Sequence, residues 1–162
     1  MQKVEELRMM IKEDWMNILD ILKRRNIVTT EIPKWGTYLR KQWEDNFAGH
    51  LTQKEKAAIF LHDYDGCCGY LWHIFSYEKR ECLKGKEAEQ AFNQLKKKEC
   101  FLFYQQSEYA LILEDASRLT SEDLKNERNL FSDIFIADKN FNWTYVNTHE
   151  TYCGPYFCMI SK

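Results

Sequence analysis

The fold is decided by one stretch, Phe141-Asn142-Trp143-Thr144-Tyr145-Val146-Asn147. Aromatic and β-branched residues are enriched in strands, so this run predicts a strand. Residues 133–137 have the same character, and the polar tripeptide at 138–140 between the two runs is typical of a turn. Two strands joined by so short a turn run antiparallel. The sequence therefore predicts a hairpin, and its second strand is covered on both faces because apolar side chains point to both.

The same kind of pattern recurs upstream and downstream of this hairpin. Residues 100–104 and 109–113 flank a polar segment and predict another hairpin. Tyr70 to Phe75 is aromatic and β-branched and predicts a further strand. Tyr156 to Ile160, after the turn at Gly154-Pro155, predicts the last one.

Helical patterns dominate the first half of the chain. The first helix is predicted from an apolar stripe at steps of three and four, made by Val4, Leu7, Ile11, Trp15, Ile18 and Leu22. The second spans Trp35 to Phe47, and the third begins at the capping box of Thr52 and Glu55 and ends at the turn residues Asp63-Tyr64-Asp65-Gly66. Two further helices are predicted in the second half of the chain, over Glu87 to Lys98 and Ser121 to Glu127. Helices come first and hairpins last, which predicts an α+β fold: N-terminal helices packed on a largely antiparallel sheet of about five strands. We expect one globular domain over residues 1–162, because no linker-like stretch divides the chain.

Composition narrows the classes of function. The chain has 162 residues, 44% of them hydrophobic, and a net charge of −2. The short basic runs Lys23-Arg24-Arg25 and Lys96-Lys97-Lys98 are interpreted as solvated helix ends, so we expect no nucleic-acid partner. No apolar run approaches the length of a membrane span, and the acidic N-terminal helix does not resemble a signal peptide. We therefore expect a cytoplasmic protein whose six cysteines are reduced.

Two stretches carry a family resemblance. They are Trp72-His73-Ile74-Phe75-Ser76 in the middle of the chain, and Trp143-Thr144-Tyr145-Val146-Asn147-Thr148-His149-Glu150 followed by Gly154-Pro155-Tyr156-Phe157. With them the chain resembles a small family of uncharacterised single-domain proteins from Bacillus-type Gram-positive bacteria. The resemblance spans most of the chain and implies a cellular context, but no activity.

His149 and Glu150 suggest a general acid/base pair. If the strand continues through them, alternation sends the two side chains to opposite faces, so they can cooperate only where the chain bends. The alternative is that both satisfy backbone groups at the turn around Gly154-Pro155. His73 is either a hydrogen-bonded boundary residue or a partner of His149 in one pocket.

Other chemistry finds little support in the sequence. His62, Asp63 and Asp65 are close together, but neither CxxC nor HExxH occurs, so we expect no metal site. Dinucleotide and phosphate-binding motifs are missing too, and we expect no cofactor. Cys82, Cys100 or Cys153 could pair with His149, although free cysteines are more often small core residues.

Two functions remain. The first is a binding or protein-interaction module with an aromatic groove near the strands of Trp72 and Trp143, whose partner is a protein or a small molecule. The second is a small enzyme that uses His149 with Glu150 or a cysteine. The missing motifs favour the first. Apolar character on both sheet faces also suggests a symmetric homodimer. The candidate binding residues are Trp72, His73, Trp143, Thr148, His149, Glu150 and Tyr156.

Overall fold

The computed structural model describes residues 2–62, 69–125, 133–150 and 152–160. Within them the helices are α1 Gln2–Arg24, α2 Gly36–Phe47, α3 Gln53–Ala58, α4 His73–Ser76, α5 Lys86–Gln94 and α6 Ser121–Leu124. The strands are β1 Thr29–Glu31, β2 Leu83–Lys84, β3 Cys100–Tyr104, β4 Ala110–Leu113, β5 Ile134–Asp138, β6 Trp143–Asn147 and β7 Tyr156–Met159. No helix in these ranges is long and apolar enough to cross a membrane.

All of these strands form one antiparallel sheet in the order β1-β4-β3-β5-β6-β7-β2. The predicted hairpins are confirmed as β3–β4 and β5–β6, and the predicted last strand is β7. The described residues hold seven strands, so the prediction of about five was too low. The difference comes from the edge strands β1 and β2, which have three and two residues and are too short to produce a hydrophobic pattern.

The predicted strand from Tyr70 to Phe75 is wrong. This segment makes turns and the short helix α4, with the Phe75 N–H donating to the Trp72 carbonyl at 2.9 Å. Leu71, Trp72, Ile74 and Phe75 are all buried, yet they pack on the sheet as a layer and do not join it. Aromatic and β-branched residues favour any half-covered surface, and here a helical turn supplies the burial that a strand would have given.

Helices cover both faces of the sheet, as the apolar strands predict. The first face packs against α1, α5 and α6; its core includes Ile18, Leu22, Ala88, Phe92, Leu124, Leu102, Ile136, Trp143 and Tyr145. The second face packs against α2, residues 59–61 and residues 70–75; its core includes Leu39, Trp43, Phe47, Trp72, Phe75, Phe103, Phe135, Val146, Tyr156 and Cys158. Alternation along β6 explains the division, since Trp143 and Tyr145 point to one face and Thr144 and Val146 point to the other.

Of the predicted helix ends, the start of α3 is confirmed and the end of α5 is wrong. The capping box of Thr52 and Glu55 is confirmed at the start of α3. Helix α5 ends at Gln94, earlier than predicted, and Lys97 is not a solvated residue. Its ammonium is buried 4.4 Å from the centre of the Phe92 ring and donates to the Phe92 carbonyl at 2.7 Å, so it closes the helix from inside.

Some predictions fall on residues outside the described ranges. These are the turn at residues 63–66 with the neighbouring Cys67 and Cys68, the end of the helix predicted to reach Glu127, and the side chains of Val4, Leu7, Ile11 and Trp15. Ile18 and Leu22, which continue the same stripe along α1, are buried as predicted.

Candidate functional site

Three neighbouring strands, β3, β5 and β6, have their termini side by side, at the edge of the sheet that the strand ends form. Tyr104 at the end of β3 pairs with Ile134 at the start of β5, which pairs with Asn147 at the end of β6. Just beyond the strands, the Gln105 N–H donates to the Asp133 carbonyl at 3.2 Å. Strand ends bring polar groups out of a core while the sheet holds them in place, so this edge positions a site.

His149 is fixed here by a buried carboxylate. After Asn147 the chain leaves β6 and bends, and the Oδ1 atom of Asp133 accepts from both the His149 main-chain N–H at 2.7 Å and the ring Nδ1 at 2.8 Å. Asp133 is only 2% exposed, whereas the His149 side chain is 23% exposed. The hydrogen bond to Asp133 raises the pKa of His149 against the opposing effect of burial. The imidazole is therefore held in one orientation and its protonated form is stabilised.

The bend also brings Glu150 to His149. The ring Nε2 lies 3.7 Å from Glu150 Oε1, so the two side chains meet although an extended strand would have separated them. The sequence predicts that His149 and Glu150 can cooperate only where the chain bends, and the chain does bend at this position. His149 stands between one buried and one half-exposed carboxylate.

Aromatic rings surround the other sides of His149. The centre of its ring lies 5.1 Å from that of Tyr70 and 6.3 Å from that of Trp72. His73 contacts the same two rings, at 5.3 Å from Tyr70 and 4.8 Å from Trp72, and Tyr156 stacks on Trp72 at 6.3 Å. We call Tyr70, Trp72, His73, His149 and Tyr156 the histidine–aromatic cluster. His73 and His149 therefore converge on one cluster.

The indole of Trp72 is unusual within the cluster. Its side chain is 1% exposed, and no described residue accepts a hydrogen bond from its Nε1 atom. Buried polar groups are paired in the great majority of cases, and an exception is often associated with function.

Cys153 lies beside Glu150 but is not set up as a nucleophile. Its Sγ donates to Glu150 Oε2 at 3.3 Å, and the Thr148 hydroxyl donates to the main-chain carbonyls of Glu150 and Cys153. Burial raises the pKa of the Cys153 thiol, and the hydrogen bond to Glu150 raises it further. A nucleophilic cysteine requires the opposite shift, toward the thiolate.

Trp143 does not join the other predicted site residues. It opens β6, at the opposite end of the strand from Asn147, and packs on the first face with its ring 6.1 Å from those of Phe92 and Phe157. The expected groove shared by Trp72 and Trp143 is therefore a wrong prediction. It depended on placing Trp72 in a strand, whereas Trp72 lies above the second face.

The sequence missed Asp133 and Tyr70. In the sequence, each is only the first residue of a predicted strand. An acidic residue directly before the buried run of β5 is nevertheless unusual, and it indicates a basic partner nearby. The partner of Asp133 is His149, sixteen residues away, and only the register of β5 with β6 brings the two together.

A cavity of about 620 Å³, also missed, lies next to the cluster. Thr37, Arg40, Glu44, Leu61, His62, Leu71 and Gln105 are among the residues that line it. Glu44 contacts His62 Nε2 at 2.5 Å and the buried Lys56 ammonium at 2.8 Å. Burial opposes ionisation of Glu44, but the hydrogen bonds from Lys56 and His62 outweigh it and lower its pKa. Arg40 donates to the main-chain carbonyls of Tyr104 and Ser107, so it holds the cavity wall together.

No group of three or more metal-ligating side chains that could hold an ion occurs in the part of the chain that the structure describes. A family model described as "Domain of unknown function (DUF4275)" matches residues 16–157. Comparison with curated proteins and with solved structures gave no match.

Proposed function

We propose that this chain, which belongs to the DUF4275 family, a domain of unknown function, is a protein-binding module. The contact surface in this proposal is the exposed side of the histidine–aromatic cluster together with its neighbours Phe60 and Tyr77. A second protein chain is the partner that we favour over a small molecule.

The observation that carries the proposal is a row of partly exposed aromatic residues that hydrogen bonds and ring contacts connect. Phe60 and Tyr77 are about half exposed. His73 links them, since its Nδ1 contacts the Phe60 carbonyl at 2.9 Å and its ring lies 5.3 Å from that of Tyr77. The Tyr70 N–H donates to the same carbonyl at 3.1 Å. Aromatic residues that are already ordered lose little entropy on binding, and they are enriched among the residues that dominate protein interfaces.

His149 and Glu150 add charge at one end of this row. Asp133 favours the imidazolium form of His149, and half of the Glu150 side chain remains open to solvent. A partner that places a carboxylate near His149 or a cation near Glu150 would gain a directional contact beside an apolar one.

Photo-crosslinking in cells tests this proposal, because it captures a partner of any identity. A photoreactive phenylalanine derivative replaces Tyr77, which is 46% exposed, or Met159, which is 58% exposed and lies at the opposite end of the sheet. In cells of the native source we expect a discrete adduct from position 77 and none from position 159. Substituting Tyr70→Ala in the Tyr77 variant reduces the adduct severalfold. Equal adducts at both positions, or none at position 77, would contradict the proposal.

A small enzyme is the second candidate, and the Asp133–His149 pair favours it. A carboxylate that holds one imidazole nitrogen, with the other nitrogen beside a half-exposed carboxylate, is an arrangement that general acid/base catalysis can use. The high pKa of Cys153 argues for His149 with Glu150 over a cysteine mechanism. His149→Gln separates the two candidates: a binding module keeps its cellular function together with most of its adduct at position 77, whereas an enzyme loses its cellular function.

Three further points belong to the same proposal. We place the protein in the cytoplasm, where a thiol-rich chain stays reduced. We assign its family to Bacillus-type Gram-positive bacteria, with the segment from Trp143 to Phe157 as its shared motif. We also propose a symmetric homodimer, and light scattering that gives the monomer mass at tens of micromolar would exclude it.

A further inference from the structure

The register of β2 with β7, continued by one residue, places Cys82 opposite Cys158. In the antiparallel pairing of β2 with β7, Leu83 lies opposite Phe157. One step further along the same register places Cys82, which directly precedes β2, opposite Cys158. Both thiols are free.

The hydrogen-bond pattern of the ladder indicates how close these two residues lie. The Gly85 N–H donates to the Pro155 carbonyl at 2.9 Å, which marks a hydrogen-bonded position of the ladder. Such positions alternate with non-hydrogen-bonded ones in antiparallel pairs. If the alternation continues three steps from Gly85, it gives Cys82 and Cys158 a non-hydrogen-bonded position, where Cα atoms are about 4.5 Å apart and side chains are closest. This Cα separation falls within the range that disulfides span.

The two side chains also share a face and an environment. Cys158 is buried in the core of the second face, and Cys82 packs against that core while remaining partly exposed. Burial raises the pKa of Cys158 to about 11; the charge of Arg80 opposes this shift, and that of Cys82 adds to it.

We propose that the folded protein forms a disulfide between Cys82 and Cys158 when a hydroperoxide oxidises it. The sulfur of Cys82 attacks one peroxide oxygen, the O–O bond breaks, and Cys82 becomes a sulfenic acid while the leaving oxygen takes a proton. The sulfur of Cys158 then attacks that of Cys82, the S–S bond forms, and the S–O bond breaks with loss of water. Two thiols give up two electrons and two protons, and hydrogen peroxide becomes two molecules of water.

The exposures of the two thiols set the order of these steps. Cys82 meets the oxidant first because it is the more exposed, and the buried Cys158 resolves the sulfenic acid. Burial raises the pKa of Cys82 as well, so the thiolate is scarce at neutral pH. Oxidation is therefore slow near pH 7 and accelerates as the pH rises. The product ties the two-residue edge strand β2 to β7 covalently.

Peptide mapping of the oxidised native protein tests the proposal. The full chain is treated with hydrogen peroxide under native conditions, its remaining thiols are alkylated in acid-quenched denaturant, and it is digested with trypsin without reduction. Cleavage after Arg80 and Lys84 isolates Cys82, whereas Cys158 shares a peptide with Cys153. We expect these two peptides to be joined, with a mass two hydrogens below their sum, and the yield to rise at least tenfold between pH 7 and pH 9.

Two serine variants identify the partner of Cys82. Cys153→Ser keeps the linkage, and Cys158→Ser, verified as folded by circular dichroism, loses it by at least tenfold. If Cys158→Ser does not fold, Cys82→Ser at the more exposed position replaces it, and Cys158 must then stay alkylatable after oxidation. Failure of the wild-type protein to form the linked peptide, or linkage to Cys153, would overturn the proposal.

Discussion

Trp43 and Trp72 lie on the same face of the sheet and are both buried, but their indole N–H groups differ in hydrogen bonding. At the centre of the second face, Trp43 Nε1 donates to the Thr144 hydroxyl at 2.8 Å, which donates to the Ile136 carbonyl at 2.8 Å. At the strand ends, no described residue accepts a hydrogen bond from Trp72 Nε1.

The neighbours of the two indoles differ in the same way. Trp43 is enclosed by the rings of Phe47, Phe75 and Phe135. Trp72 instead contacts His73 and His149, both of which reach the surface. One region is complete by itself and contributes stability. The other keeps an indole N–H with no acceptor among the described residues, and this difference supports the proposal that it is a recognition surface.

The largest effect is expected at the centre. Trp43→Ala removes a fully buried indole and should lower the free energy of unfolding by about 3–5 kcal/mol. Denaturant titration followed by circular dichroism measures the loss. Trp35→Ala, at a half-exposed indole at the start of α2, is the matched control and should cost less than about 1 kcal/mol. Similar losses for both variants would show that Trp43 is not at the centre of the core.

A smaller effect is expected from Thr144→Val. The substitution keeps the shape of the side chain but leaves the buried Trp43 N–H without its acceptor, so we expect a loss of about 1–3 kcal/mol. Thr30→Val, on the exposed edge strand β1, is the control and should change stability by less than about 0.5 kcal/mol. A neutral Thr144→Val would mean that the Trp43 N–H has another acceptor.

The centre of the fold was predictable from the sequence, because both central hairpins have polar turns between apolar runs. The layer above it was not. Tyr70 to Phe75 has the composition of a strand, but in the tertiary fold it packs on the second face of the sheet as turns and the short helix α4. The edge strand β2 is set by its pairing with β7, which two residues of sequence do not encode.

The candidate site divides along the same line. His149, Glu150 and Tyr156 were predicted because they are polar or aromatic residues near the turn at Gly154-Pro155, and His73 because it is a lone histidine in an apolar run. Asp133 was not, since its role arises from the register between β5 and β6 rather than from any local pattern. The cavity was missed for the same reason, as Glu44 and His62 belong to elements that the tertiary fold brings together.

A double-mutant cycle sharpens the comparison of the two indoles. Trp43→Phe removes the donor of the Thr144 hydrogen bond, so combining it with Thr144→Val should reveal a coupling energy of about 0.5–1.5 kcal/mol. Trp72→Phe removes an N–H that has no partner among the described residues, so its effect should add to that of Thr144→Val within about 0.5 kcal/mol. A larger coupling for Trp72 than for Trp43 would reverse the assignment of the two regions.

The smallest effect concerns the pH dependence at the strand ends. The hydrogen bond to Asp133 raises the pKa of His149, so the folded protein binds this proton more tightly than the unfolded chain does. The resulting stabilisation is complete below the unfolded pKa of about 6.5 and disappears as the pH rises through the folded pKa. We expect less than about 1 kcal/mol, because the ring is partly exposed to solvent. NMR titration of the His149 ring protons measures the folded pKa directly, and denaturant titrations between pH 5 and 9 measure the stability. Asp133→Asn removes the charge and should lower the pKa of His149, while His149→Gln should flatten this part of the stability profile. If the pKa of His149 does not change in Asp133→Asn, the buried carboxylate does not control the protonation of His149. The contrast between the core around Trp43 and the ionisable strand ends around His149 would then fail.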